Sequence, residues 1–291
     1  MYIATLLTDP AAPTLDPALV ESLRNAWGGG AVQWLAPDEA AEFALPDMPG
    51  NRWDVWADLQ GMGADLVVHP AANRRKKILL ADMDSTMIRQ ECIDELAEEA
   101  GVGDRVREIT ARAMRGELDF DGSLLERVAL LRGLDESVIP HVIETRIEPM
   151  PGAQTLLATM RANGGYSALV SGGFTAFTDR VASMLGFDEN HANDLLVENG
   201  KLTGDVRRPI LGREAKVSAL ERISTRLGVT EDDVLAVGDG ANDLGMLHRA
   251  GMGVALHAKP AVAATCDIRI NHGDLTALLY LQGYSRSEFA G

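Results

Sequence analysis

The sequence predicts an α/β protein: a parallel sheet wrapped by helices, preceded by a small α+β unit and interrupted by an inserted helical block. Three observations lead there. Short apolar runs at 78–81, 166–170, 234–237 and 253–256, with a weaker one at 267–270, recur between helical stretches, the alternation expected of a parallel sheet. Residues 1–70 instead pack short strand-like and helical patterns into the order βαββαβ, as in ferredoxin-like units. Residues 91–148, after the first core run, are charged, helical and punctuated by Gly101, Gly103, Gly116 and Gly133.

Taken in order, Tyr2–Thr8 reads as a strand, and Asp16 caps a helix through about Trp27 that Gly28-Gly29-Gly30 breaks. Ala31–Leu35 and Glu42–Leu45 read as two short strands crowded by Pro37 and Pro46, Asp54–Gly61 as a helix, and Asp65–His69 as a last strand. The basic run Asn73-Arg74-Arg75-Lys76-Lys77 fits a solvated linker better than an anion site. A domain boundary falls there, dividing the chain into 1–73 and 74–291. Helices near 91–100, 104–115, 121–132 and 135–144 make up a block inserted at about 89–149, placed to cover the C-terminal edge of the sheet. Residues 194–206, around Asn199-Gly200, read as a hairpin.

Composition narrows the partners. Lys plus Arg number 27 and Asp plus Glu 43 in 291 residues, a net charge of −16, which disfavours nucleic acid and anionic membranes. No apolar run approaches the ~18 residues of a membrane span. The N-terminus lacks a basic region and meets Asp9 and Pro10 early, so it does not read as a signal peptide. Cys92 and Cys266, far apart and outside any Cys-x-x-Cys pattern, read as reduced thiols of a cytoplasmic protein. The six histidines form no metal-binding motif.

Four places could carry chemistry. Ile78-Leu-Leu-Ala81 empties into Asp82 and Asp84, two acids that repel unless a cation or a shared proton relieves them. Taken alone, Asp-Ser-Thr there is equally good helix-capping chemistry. Ala168-Leu-Val170 ends in Ser171-Gly172-Gly173 before a helix, which supplies free N–H groups and a hydroxyl for an anion. Lys216 lies in a helical stretch before another strand; a phosphate site in so acidic a chain needs such a cation. Val234–Val237 leads into Gly238-Asp239-Gly240-Ala241-Asn242-Asp243, which fails as a dinucleotide fingerprint because Asp243 replaces its last glycine. Carboxylates in a glycine-rich loop suit a hard cation such as Mg²⁺. The three strand ends converge on one edge of one sheet.

These residues resemble, in order, the four motifs of the haloacid dehalogenase superfamily: Asp82-x-Asp84-Ser85-Thr86, Ser171, Lys216, and Gly238 through Asp243. The resemblance covers about 78–283 and implies a three-layer Rossmann-like core with a helical cap. Within that superfamily, Asp82 through Ala97, Leu118 through Val128 and Val170 through Phe174 are similar to phosphoserine phosphatases. That likeness implies Mg²⁺-dependent hydrolysis of O-phospho-L-serine through an aspartyl-phosphate, the last step of L-serine biosynthesis. It implies Asp82 as nucleophile and Asp84 as acid/base, with Glu91 on the substrate ammonium, Arg127 on its carboxylate and Phe120 lining the cap. Ser171, Gly172, Lys216 and Asn242 would hold the phosphate. One Mg²⁺ would sit on Asp82, Asp239 and the Asp84 main-chain carbonyl, with Asp243 behind them. Residues 1–73 loosely resemble an ACT-like extension, which leaves pairing with a second copy or an amino-acid effector open.

Overall fold

In the computed structural model, which describes residues 1–114 and 117–291, two sheets share one continuous packing arrangement. The N-terminal unit runs β1 (Tyr2–Thr8), α1 (Pro17–Ala26), β2 (Gln33–Ala36), β3 (Ala40–Leu45), α2 (Arg52–Gln60) and β4 (Ala64–Pro70). Its sheet is antiparallel in the order β2-β3-β1-β4, the arrangement that the βαββαβ order predicts. Asp16 caps α1, its carboxylate accepting the Ala18 N–H at 2.8 Å.

The chain then enters β5 (Ile78–Ala81), followed by α3 (Cys92–Glu99), α4 (Gly103–Met114), α5 (Phe120–Ala129), α6 (Val138–Arg146) and α7 (Ala153–Ala162). The residues expected to end the second of these helices, Arg115 and Gly116, lie outside the described residues. Next come β6 (Tyr166–Phe174), α8 (Thr175–Leu185), β7 (Glu189–Asn193) and the hairpin β8 (Leu195–Glu198) with β9 (Lys201–Val206). The remainder alternates: α9 (Arg213–Leu227), β10 (Val234–Gly238), α10 (Leu244–Arg249), β11 (Met252–Leu256), α11 (Pro260–Ala263), β12 (Ile268–Ile270) and α12 (Ala277–Leu281).

The core sheet has six strands in the order β12-β11-β10-β5-β6-β7, and every pairing is parallel. Its central strands are buried on both faces, which is why they read as unbroken apolar runs. Ile78, Leu80, Ala168, Val170, Val234 and Ala236 pack to one side, while Leu79, Ala81, Leu169, Leu235 and Val237 pack to the other. The second cluster continues into the helical block through Met87, Ile93, Leu96, Leu124 and Val142, and into the N-terminal sheet through Leu7, Leu35 and Val67.

Two expectations need correction. The basic run at 73–77 is not a solvated linker. Arg74 pairs with the largely buried Glu42, Arg75 with Glu288 and Lys77 with Asp233, while Lys76 is buried and donates to the Asp232 carbonyl at 2.6 Å. Arg74 bridges the N-terminal sheet to the core domain, and the other three pair within the core domain. Strand β7 was also unforeseen, because its sequence Glu-Asn-His-Ala-Asn is that of a polar sheet edge with one apolar residue. Among the described residues, no helix is long and apolar enough to cross a membrane.

Candidate active site

Parallel strands present their C-terminal ends to a common crevice where the strand order reverses, and here β5 lies between β10 and β6. Beyond the end of β5, the Asp82 N–H still donates to the Val237 carbonyl at 3.0 Å, so the sheet holds Asp82 in register. The chain then turns tightly: the N–H groups of Thr86, Met87 and Ile88 all converge on the Met83 carbonyl. This turn directs Asp84 towards the start of α3, where its carboxylate accepts the Cys92 N–H at 3.4 Å.

The loop after β10 folds around Asp243. One oxygen of Asp243 accepts the N–H groups of Asp239 (3.1 Å) and Gly240 (2.9 Å), and the other is 2.6 Å from Lys216 Nζ. Lys216, 1% exposed on α9, is also 2.6 Å from Asp82 Oδ1, and so ties the ends of β5 and β10 together. At the end of β6, Ser171 Oγ accepts the Gly173 N–H at 2.8 Å. Gly172 leaves room for the helical block. A Cβ there would lie 2.8 Å from the Phe120 ring, so its absence lets the cap approach this turn.

A cavity of about 650 Å³ lies between sheet edge and helical block. Asp82, Asp84, Ser171, Gly172, Asp239 and Asn242 line its floor, and Glu91, Phe120 and Arg127 its roof. Every residue the sequence singled out therefore gathers here except Lys216 and Asp243, which sit directly beneath the floor. Glu91 accepts from Ser85 Oγ at 2.9 Å, and Arg127 Nε donates to the Ser123 carbonyl at 3.2 Å.

Burial dominates the electrostatics. It raises the Asp82 pKa, with Asp243 adding to it and Lys216 opposing. Asp84 is pushed up to about 7 by burial and then by Glu91, against the Cys92 hydrogen bond. Asp239 is pushed up to about 6, again by burial, with Lys259 opposing. For Lys216 burial works against the charge, but Asp243 and Asp82 outweigh it and the pKa ends raised.

Carboxylate oxygens of Asp82, Asp239 and Asp243, all buried, lie within 4.8 Å of one another. Three such acids beside one buried ammonium leave a deficit of positive charge, and an all-oxygen donor set suits a hard divalent ion. The residues fit a metal. Because Asp243 already accepts from three donors, its oxygens are less free than those of Asp82 and Asp239. The Asp84 carboxylate stands outside the cluster; the sequence reading gave Asp84 a place through its main-chain carbonyl.

Sequence reasoning missed two contributors. Lys259 follows β11, donates its N–H to the Asp239 carbonyl at 3.2 Å, and sets Nζ 3.6 Å from Asp239 Oδ2. Its signal is positional: it lies just past the end of a fourth strand-like run, Gly253–Leu256, at the same sheet edge as the other strand ends. Asn193 braces the Ser171-Gly172 turn, donating to the Gly172 carbonyl at 2.9 Å and accepting the Leu211 N–H at 2.7 Å. It lies on the unforeseen β7 and had no readable signal.

The pattern of the haloacid dehalogenase-like hydrolases matches residues 79–248, and the chain belongs to that family. It is 42% identical over 256 residues to a phosphoserine phosphatase of Streptomyces coelicolor, an alignment covering 87% of this chain and 62% of that protein. The chain spans 52 to 65% of the length of that and three other phosphoserine phosphatases it matches. A crystal structure of a haloacid dehalogenase family hydrolase from Salmonella enterica serovar Typhi superposes with a TM-score of 0.86 at 30% identity, covering 97% of this chain and 98% of that one. A phospho-aspartyl intermediate analogue of a phosphoserine phosphatase superposes with a TM-score of 0.67 at 42% identity, over 71% of this chain and 98% of that one.

Proposed function

We propose that this chain hydrolyses O-phospho-L-serine to L-serine and phosphate through an aspartyl-phosphate on Asp82. The single observation that carries the reading is one cavity with Asp82 and Asp84 on its floor and Glu91 and Arg127 on its roof. Floor and roof match the two ends of the substrate, a phosphate ester and an amino acid. The likeness to the phospho-aspartyl analogue supports the covalent route.

In this reading Asp82 attacks phosphorus in line, the bond from phosphorus to the serine oxygen breaks, and an acyl phosphate forms. Asp84 gives its proton to the leaving oxygen. It then takes one from the water that attacks phosphorus, which frees phosphate and restores the Asp82 carboxylate. A pKa raised to about 7 suits a group that must both give and accept a proton near neutrality. Lys216 fixes the Asp82 rotamer and places positive charge beneath the phosphoryl group. The Ser171 hydroxyl, the Gly172 N–H and Asn242 hold its oxygens. Mg²⁺ would be held by Asp82, Asp239 and the Asp84 main-chain carbonyl, with Asp243 supporting them. When bound, it offsets repulsion between an anionic nucleophile and an anionic ester.

Glu91 and Arg127 read the ammonium and carboxylate, and Phe120 closes over Gly172. The same reading takes 1–73 as an ACT-like unit and 74–291 as the phosphatase, with its cap inserted at about 89–149. Phosphate release from phosphoserine and from glycerol phosphate, each with Mg²⁺, tests the proposal. Phosphoserine should be preferred by on the order of 10⁴ in kcat/KM, because the other ester leaves Glu91 and Arg127 unpaired under the cap. Equal values overturn it.

A further inference from the structure

Asp65, on β4 of the N-terminal unit, is fully buried and has no part in the site described above. Its carboxylate accepts three consecutive backbone N–H groups from the loop after β12: Asn271 at 2.9 Å on one oxygen, His272 at 2.9 Å and Gly273 at 2.8 Å on the other. Three charge-assisted bonds to successive amides fix the conformation of that loop.

Two segments join the helical block to the core, a first strap at 86–90 and a second at 147–152, and the same loop holds the second. Leu275 N–H donates to the Pro151 carbonyl at 3.2 Å, and the Cα of Gly152 presses so close that a Cβ there would lie 2.7 Å from the Thr276 nitrogen. Residues 148–150 in turn pair with the first strap: Arg89 N–H donates to the Glu148 carbonyl at 3.0 Å, and Met150 N–H to the Met87 carbonyl at 2.9 Å. Arg89, Met150 and Pro151 line a cavity of about 610 Å³ together with His272, Gly273 and Asp274 of that loop. Met87 and Ile88 anchor the first strap in the core, while the Leu275–Pro151 hydrogen bond and the Gly152–Thr276 contact join the second strap to the loop across this cavity.

We propose that Asp65 is a positioning residue: through loop 271–276 it sets the place of the cap straps, and with them the height of Glu91 and Arg127 above Asp82. The N-terminal unit thereby tunes substrate recognition without touching the cavity. This rests on the reading of Glu91 and Arg127 as substrate-binding groups, and the test separates the two.

Asp65→Asn keeps the shape but removes the charge and one acceptor oxygen. Its KM for phosphoserine should rise about tenfold, since misplacements of an ångström are costly, while turnover of an aryl phosphate that makes no cap contact stays at the wild-type value. Amide hydrogen exchange at 148–152 should quicken, a readout that needs no activity. Glu42→Gln, which removes the Arg74 partner elsewhere in the same interface, should leave KM and strap exchange unchanged. Gly152→Ala disturbs the same contact from the strap side but also strains the left-handed backbone at Gly152 (φ 79°), so if Asp65→Asn does not fold it serves as the negative test, in which KM and strap exchange should both rise. Unchanged strap exchange and KM in Asp65→Asn, or in Gly152→Ala where it stands in, overturns the inference. So does an equal KM rise in Glu42→Gln. Wild-type protein inert on phosphoserine overturns the substrate reading, while strap exchange still decides the role of Asp65.

Discussion

Asp82 sits where a negative charge is costly. Burial and Asp243 both work against that charge, and Lys216, 2.6 Å away, opposes them only in part. Removing the charge and removing the nucleophile therefore pull in opposite directions. Asp82→Asn should lower turnover on the order of 10⁶-fold, the scale seen when a covalent nucleophile is lost, and should no longer trap beryllium fluoride. Yet its unfolding free energy should stay level or rise, because Lys216 keeps Asp243 as its partner and one of three mutually repelling buried carboxylates is gone. Turnover and urea denaturation on the same preparation check both halves. Retained phosphate release would rule out the covalent route. Asp82 and Asp84 were legible as a pair from the strand that empties into them. Their separate environments were not: Asp82 is gripped by Lys216, whereas Asp84 faces Glu91 and the start of α3. That difference comes from residues 132 to 134 positions away in the case of Lys216, and no local pattern encodes it.

Strand β4 shows how an element can satisfy two partners. Its alternation sends Ala64, Leu66 and Val68 to the helices of its own unit, and Asp65, Val67 and His69 towards the core domain. The His69 pKa is lowered to about 4 by burial and then by Arg74. A neutral histidine in the folded state against an ordinary one in the unfolded chain contributes stability that is present above pH 6.5 and is lost as pH falls towards 4. The loss amounts to about 3 kcal/mol. Asp84 and Asp239 act in the opposite sense, because their raised pKa values let the folded protein take up protons first. The informative measurement is thus a difference. Urea unfolding of the metal-free protein between pH 7.5 and 4 should fall more steeply for wild type than for His69→Gln. Parallel curves would count against this assignment. From sequence, β4 was visible as a strand within a residue of its bounds, but its polar positions gave no hint that they face another domain.

Across the whole molecule, the sheet edge concentrates negative charge in a protein already at −16. Asp82, Asp239 and Asp243 gather within 4.8 Å, so a divalent cation should stabilise the fold by mass action. At a hundredfold excess over Kd the gain is about 2.7 kcal/mol, or roughly 5 °C in Tm. Thermal unfolding with and without Mg²⁺ should show that rise, and Asp239→Asn should abolish it. An unchanged Tm on adding Mg²⁺ would argue against the cluster as a metal site. The order of the core strands also belongs to this scale. It places β5 between β10 and β6, and that is what turns three separate strand ends into one site.

The sequence by itself determined the βαββαβ unit, the buried parallel strands, the helical insertion and the residues at each strand end. These are written in local periodicity and in short motifs, which a chain carries whatever its neighbours are. Only the tertiary structure decided that Arg74 clasps the N-terminal sheet while Arg75, Lys76 and Lys77 are held by the core domain, that Asn193 and Lys259 serve the site, and that Lys216 lies beneath the floor instead of lining it. The reason is physical. A charged side chain on the surface and one locked to a distant carboxylate look alike in sequence, and they differ only in what folding brings against them.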